Sequence, residues 1–390
     1  MLAGASLAGA APAGAAASLG RRIAPGVTYR QFDIRAAAGR TRAHLLTVDL
    51  TNRHVRLDLL YPGAVAARAT VSGMADAAGA VGGVNGDFFN ISETQHPGVE
   101  ATGASVGPAV AAGRVLKAAV PAGQRFGPVL PPGTGTRDVL GVGTDRRAHL
   151  DRLTLTGTVT TPEGRFPLKG LNQYALPQNS VGAFTSRWGS ASRVRAVCGT
   201  DTNRAAGCST DTYEVRVRGG RVTSTAAAPG SGPIAAGTTV LVGREEGARR
   251  LRELSPGDRV KVTHALVAAT AKVPYTFAIG GYPVLRAGRP LSGLDDTTSA
   301  VRTVVGFANG GRRMLLLALD GAAAYRTGMT VAEEAAAMES LGATDAFNLD
   351  GGGSSEMVTR AAGARAVKVR NHPSGGAERP VANGIGVFSS

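Results

Sequence analysis

Alternation of apolar and polar residues dominates the first third of the chain. VTYRQFDI, AHLLTVDL and HVRLDLLY each read as strands, and in the third Val55, Leu57 and Leu59 oppose Arg56, Asp58 and Leu60. Thr70–Gly79 reads as a short helix leading into the apolar strand VGGVNGDFFN, which breaks at Asn85-Gly86. Residues 109–151 read as a Gly/Pro-rich connector with short strand candidates, most linker-like at PVLPPGTGT. Two alternating runs then flank the turn Pro162-Glu163-Gly164, and Glu214–Arg218 with Arg221–Ser224 form a hairpin about Gly219-Gly220. REEGARRLREL is a helical insert before the strand RVKVTHALV.

After Lys272 the texture becomes a compact series of strands ending in glycine. TVVGFA and RRMLLLALDG read as strands, and AFNLDGGGSSEMV as strand, turn and strand. Between them Val331, Ala335, Met338 and Leu341 keep helical spacing, and Thr330 with Glu333 predicts a capping box. Many local strands and few helices predict an α+β fold: strand-rich mixed sheets flanked by a few helices, with a β-rich insertion.

Composition narrows the function classes. The 390 residues are 43% hydrophobic, and no run approaches the ~20 apolar residues of a membrane-spanning helix. The net charge of +15 comes mostly from scattered arginines, and aromatics are only 5%. Nucleic-acid binders concentrate their charge and interleave it with aromatics, so an anionic cell-wall polymer or a solvated basic surface fits better. The stretch MLAGASLAGAAPAGAAASLGRR resembles the later part of a secretory signal peptide, although its first basic residues follow the apolar part; a disordered Ala/Gly leader is the other reading. Cys198 and Cys208, the only cysteines, flank a polar loop and are expected to form a disulfide in an exported protein.

The candidate chemistry sits at strand ends. Asp350 closes an apolar run and is followed by Gly351, Gly352, Gly353 and Ser354; without a following Lys this is not a nucleotide-binding loop. Asp320-Gly321 ends a second apolar run and Asn85-Gly86-Asp87 a third. Each alone reads as a turn; together they suggest one rim, to which Arg302, Arg379 and Asn383 add anion-binding groups. The six histidines are dispersed, which disfavours a metal-dependent phosphodiesterase. No metal or cofactor is required on this reading, while a structural Ca2+ on Asp and carbonyl oxygens is compatible with it.

The ordered set GGVNGDFFN, IGGYPVL, RTVVGF, LALDG, GMTVAEEAAAM, LGATDAFNLDGGGSS and NHPSGGAERPVANGIGVF closely resembles the phosphodiester glycosidase family, the uncovering-enzyme (NAGPA-like) catalytic domain. The resemblance covers Val81–Asn90 and Ile279–Phe388. After the signal-peptide-like leader at 1–22, it implies catalytic-domain parts at 23–120 and 273–390, with a β-rich insertion or second lobe at 121–272. It also implies a secreted hydrolase, cell-wall associated or free, that cleaves the glycosidic bond of a sugar-1-phosphodiester. The substrate would be an α-linked N-acetylglucosamine phosphodiester or a wall sugar-phosphate polymer.

On that basis Asp350 is the expected nucleophile or base, with Asp320 as its partner and Glu333 contributing. Arg302, Arg379 and the Gly351–Gly353 backbone would take the phosphate, and Asn85, Ser354 and Asn383 the sugar. Asp87 stands where the family often has a second glycine, and Glu356 and Gly375 also depart from its pattern. A non-catalytic binder of anionic wall polysaccharide is the alternative from a different class.

Overall fold

The computed structural model describes residues 20–390, and strands dominate it: they form four sheets, with three α-helices among the described residues. This is the expected α+β, strand-rich architecture. The expected leader lies outside the described residues except for its last three, and Arg21 and Arg22 already belong to the strand Arg21–Ala24.

The largest sheet has eight strands. Gly39–Asp49, Arg313–Leu319, Thr303–Ala308 and Asp345–Asn348 lie side by side at its centre. Their runs of Leu, Val and Ala are buried, as a strand covered on both faces requires. A five-stranded sheet packs against it, in the order Lys368–Val369, Met357–Thr359, Gly82–Asn85, Gly384–Ser389 and Val55–Leu60. The two approach so closely that a Cβ on Gly82 would lie 3.0 Å from Leu46 Cδ1. The helix Val331–Ser340 carries the expected capping box and covers the strand Tyr282–Arg286.

The stretch expected as a connector with short strands carries them at its two ends, and PVLPPGTGT between them holds no strand. Ala109–Ala111, Arg114–Lys117 and Asp138–Gly143 join a seven-stranded sheet that also contains Tyr275–Gly280 and the long strand Ala148–Thr161. One of its glycines serves packing: a Cβ on Gly141 would strike the Tyr275 ring at 2.6 Å. The expected hairpin Thr212–Arg218 with Arg221–Ala226 lies at one edge of the remaining five-stranded sheet, with its own core of Val215, Leu241 and Leu251. Gly219 and Gly220 both take positive φ, 58° and 74°, which the two-residue turn demands. The disulfide Cys198–Cys208 is present.

Candidate active site

Strand direction brings the expected strand ends together. Arg313–Leu319 and Asp345–Asn348 both run antiparallel to Thr303–Ala308, which lies between them. Both therefore finish at the edge where Arg302 begins its strand. Leu319 N donates to Arg302 O at 2.9 Å, Leu349 N to Thr303 O at 3.0 Å and Gly352 N to Val301 O at 2.7 Å. The end of Gly82–Asn85 reaches the same edge from the other sheet, where Asp350 N donates to Gly86 O at 2.9 Å.

Asn85 ties this junction together and is fully buried. Its Nδ2 donates to Asp350 O at 2.7 Å, while its Oδ1 accepts from Thr303 Oγ1 at 2.7 Å and from Glu356 N at 3.0 Å. The turn after Asp350 is a single 3-10 turn at Gly352–Ser354. Arg379 lies on this turn: its Nη1 donates to Ser354 Oγ at 3.3 Å, and a Cβ on Gly353 would sit 2.3 Å from its Nη2. Any Cβ at this position would displace the guanidinium from the turn. Burial pushes the Asp350 carboxyl up to about 6, against the opposing pull of Ser354, the Gly351 N–H and the Arg379 charge.

A second carboxyl, Asp87, feels the Asp350 charge. Asp87 is buried, its Oδ2 accepts from Gly107 N at 2.6 Å, and its Oδ1 has no partner. Asn383 fixes its backbone, with Oδ1 accepting from Asp87 N at 2.9 Å. Burial raises the Asp87 carboxyl; the Gly107 N–H, Lys117 and Arg125 oppose this, and the Asp350 charge adds to it. Burial likewise lowers the Lys117 amine, which donates to the Val106, Gly107 and Ala118 carbonyls. The result is a junction of two perturbed carboxyls, a caged lysine and two arginines, an arrangement typical of functional sites.

Residues 211–388 match the family model of the phosphodiester glycosidases (NAGPA). No curated protein matches the sequence. Among solved structures, a Synechocystis hypothetical protein superposes with a TM-score of 0.70 at 19% identity, covering 94% of this chain and 62% of that one. This chain thus spans less than two thirds of that protein. A Burkholderia pseudomallei protein described as exported gives 0.67 at 24% identity, over 91% and 76% of the two chains. At these identities the likeness establishes the fold. The zebrafish N-acetylglucosamine-1-phosphodiester α-N-acetylglucosaminidase catalytic domain, auto-inhibited by its pro-peptide, gives 0.46 at 15% identity over 94% and 84%.

The expected residues divide between this junction and its surroundings. Asp350, Gly351–Gly353, Ser354 and Arg379 form one cluster, with Asn85, Asp87 and Asn383 beside it. Asp320 emerges at the same sheet edge, but its carboxylate is enclosed. It accepts from Ala322 N at 2.8 Å and lies 3.0 Å from both His44 Nε2 and His372 Nδ1. Arg302 turns away, donating from Nε to Met329 O at 3.0 Å and from Nη2 to Thr298 O at 2.7 Å. Glu333 holds the helix cap and the Ala37 N–H at 2.6 Å.

Several groups escaped the sequence reading. Glu334 is fully buried with both carboxylate oxygens unpartnered; burial pushes it up to about 8, and the Arg302 charge opposes that. Its signal was legible, because three residues past Val331 it lies on the helix's apolar face. Lys117 stood alone in the apolar run VLKAAV, and Arg125 carried no local signal. Glu356 is buried beside Glu378; burial first, then that neighbouring carboxyl, push it up to about 9. Ser72 Oγ donates to Glu378 Oε2 at 2.6 Å, and Glu356 Oε1 has no partner.

A metal-spaced group among the described residues, His96 with Cys198 and Cys208, is already committed: the cysteines are bonded to each other, and His96 bonds Glu93 and the Ala206 carbonyl. No described helix is long and apolar enough to cross a membrane.

Proposed function

We propose that this protein hydrolyses the glycosidic bond of a sugar-1-phosphodiester, releasing free sugar and a phosphate monoester. Substrates of this kind are an α-N-acetylglucosamine-1-phosphodiester or a cell-wall sugar-phosphate polymer, met outside the cytoplasm. The observation that carries the reading is the Asp350 turn: a carboxyl held near neutrality, next to a glycine-framed arginine.

In the reaction the C1–O bond breaks and its electron pair leaves with the phosphate oxygen. That leaving group is a weak base, with a second pKa of about 6, so a strong general acid is dispensable. Charge neutralisation matters more. Arg379 would meet the phosphate, and Asp350 would attack C1 or take the proton of an attacking water. Asp87, whose carboxyl feels the Asp350 charge, is better placed than the enclosed Asp320 to be its partner.

The test offers purified protein an α-N-acetylglucosamine-1-phosphodiester and the matching plain α-glycoside. The phosphodiester should be cleaved preferentially, and Asp350→Asn should lower kcat by at least ~100-fold. Because the ionised carboxylate acts, kcat/KM should fall as pH drops below about 6. Wild-type turnover by Asp350→Asn, or no cleavage of any sugar phosphodiester, would overturn the proposal.

A further inference from the structure

A large cleft lies away from the Asp350 junction, where the insertion hairpin Thr212–Ala226 meets the long strand Ala148–Thr161 and its neighbour Lys261–Ala268. Its volume, about 1030 Å3, is at the upper end of ligand clefts, ~300–1,000 Å3. Thr160, Val217, Gly219, Arg221, Arg259 and Lys261 are among the residues that line it.

The charge arrangement is unusual for a merely solvated surface. Arg221 and Arg259 face each other across an antiparallel bridge, and like charges directly opposite are unfavourable. Lys261 and Arg165 each register with Thr160, from opposite sides, so both share its face of the sheet. Of the nearby carboxylates, Glu214 pairs with Arg216 and Glu246 with Arg250, while Asp258 lines the cleft itself, its Oδ2 accepting from Ser255 N at 2.7 Å. Arg165, Arg221, Arg259 and Lys261 have no ion-pair partner among the described residues. Arg221, Arg259 and Lys261 line the concavity against the single carboxylate Asp258, a net positive lining that attracts a polyanion.

We infer that this cleft is a second binding site that holds a strand of phosphodiester-linked glycopolymer at Arg221, Arg259 and Lys261. The ligand class follows from the lining. The cations suit phosphates spaced along a chain, and threonine hydroxyls with open glycine backbone suit hydroxylated units. Single-stranded nucleic acid would call for aromatic stacking platforms, and no aromatic side chain lines the cleft. The inference extends the proposed function by giving a polymeric substrate a second hold, but binding and turnover are separable.

The experiment measures equilibrium binding of poly(glycerol phosphate), without turnover, to the full chain and to Arg221→Ala/Arg259→Ala/Lys261→Ala. A control removes three exposed arginines elsewhere, Arg22→Ala/Arg35→Ala/Arg53→Ala. Single-stranded RNA of matched charge is the comparator. The cleft variant should bind poly(glycerol phosphate) at least ~10-fold more weakly and with a shallower salt dependence, while the control stays within about threefold of wild type. Equal losses in the two variants would reduce the effect to net charge and overturn the inference. So would RNA binding more tightly than poly(glycerol phosphate) at the same residues, or no binding of either. Cleavage of the small phosphodiester should be unchanged in the cleft variant; its absence in wild type would count against the proposed function and leave the binding result standing.

Discussion

Glu356→Gln should make the protein more stable at neutral pH. In the native state the Glu356 carboxyl is buried against Glu378 and accepts from the Ser72 N–H, and it is pushed up to about 9 from an ordinary 4.5. Below pH 4.5 native and unfolded chains both hold this proton. Between 4.5 and 9 only the native chain holds it, so stability falls with rising pH by ~1.4 kcal/mol per pH unit. Above 9 the loss is complete. At pH 7 the accumulated cost reaches ~3 kcal/mol as a ceiling, reduced by whatever share of the proton Glu378 carries. Gln needs no proton and its amide can donate to Glu378, so the cost disappears while the contact stays. For a chain of 390 residues the ceiling corresponds to a Tm gain of ~4 °C. Thermal unfolding followed by circular dichroism at pH 4, 7 and 8 would read it. The gain should be present at pH 7, larger at pH 8 and absent at pH 4. A destabilised variant at pH 7, or a gain independent of pH, would refute the shared-proton reasoning.

Three further outcomes are expected. Gly353→Ala keeps an ordinary backbone but displaces the Arg379 guanidinium; KM for a sugar phosphodiester should rise ~10-fold with little change in Tm. Asn85→Ala removes three buried hydrogen bonds and should cost ~3 kcal/mol in urea unfolding. Replacing Cys198 and Cys208 by Ser frees the loop in the unfolded chain and should cost ~2–3 kcal/mol in the same assay.

The strand ends were readable because each carries Asn or Asp beside Gly after an apolar run. That pattern located Asn85, Asp320 and Asp350 at one sheet edge before any coordinates. What it could not supply was side-chain direction. Arg302 and Arg379 look equivalent in sequence, yet one donates inward to Met329 and Thr298 while the other lies on the glycine turn. Glu333 and Glu334 are neighbours, and helical phase alone separates a capping carboxylate from a buried one. Gly141 read as linker because a glycine selected for close packing resembles one selected for flexibility. Asp87 meets Lys117 and Arg125 only through the tertiary fold, so no local pattern could join them.

The strand Gly384–Ser389 sits between Gly82–Asn85 and Val55–Leu60. Two strands made early are thus bridged by one made some three hundred residues later. During synthesis neither early strand has its native neighbour, and their apolar edges stay open until the bridging residues arrive. Such long-range closure slows folding and prolongs exposure to aggregation. It also means that the Asp350 junction, anchored through Asn85, assembles in a late concerted event and cannot ripen on a nascent fragment.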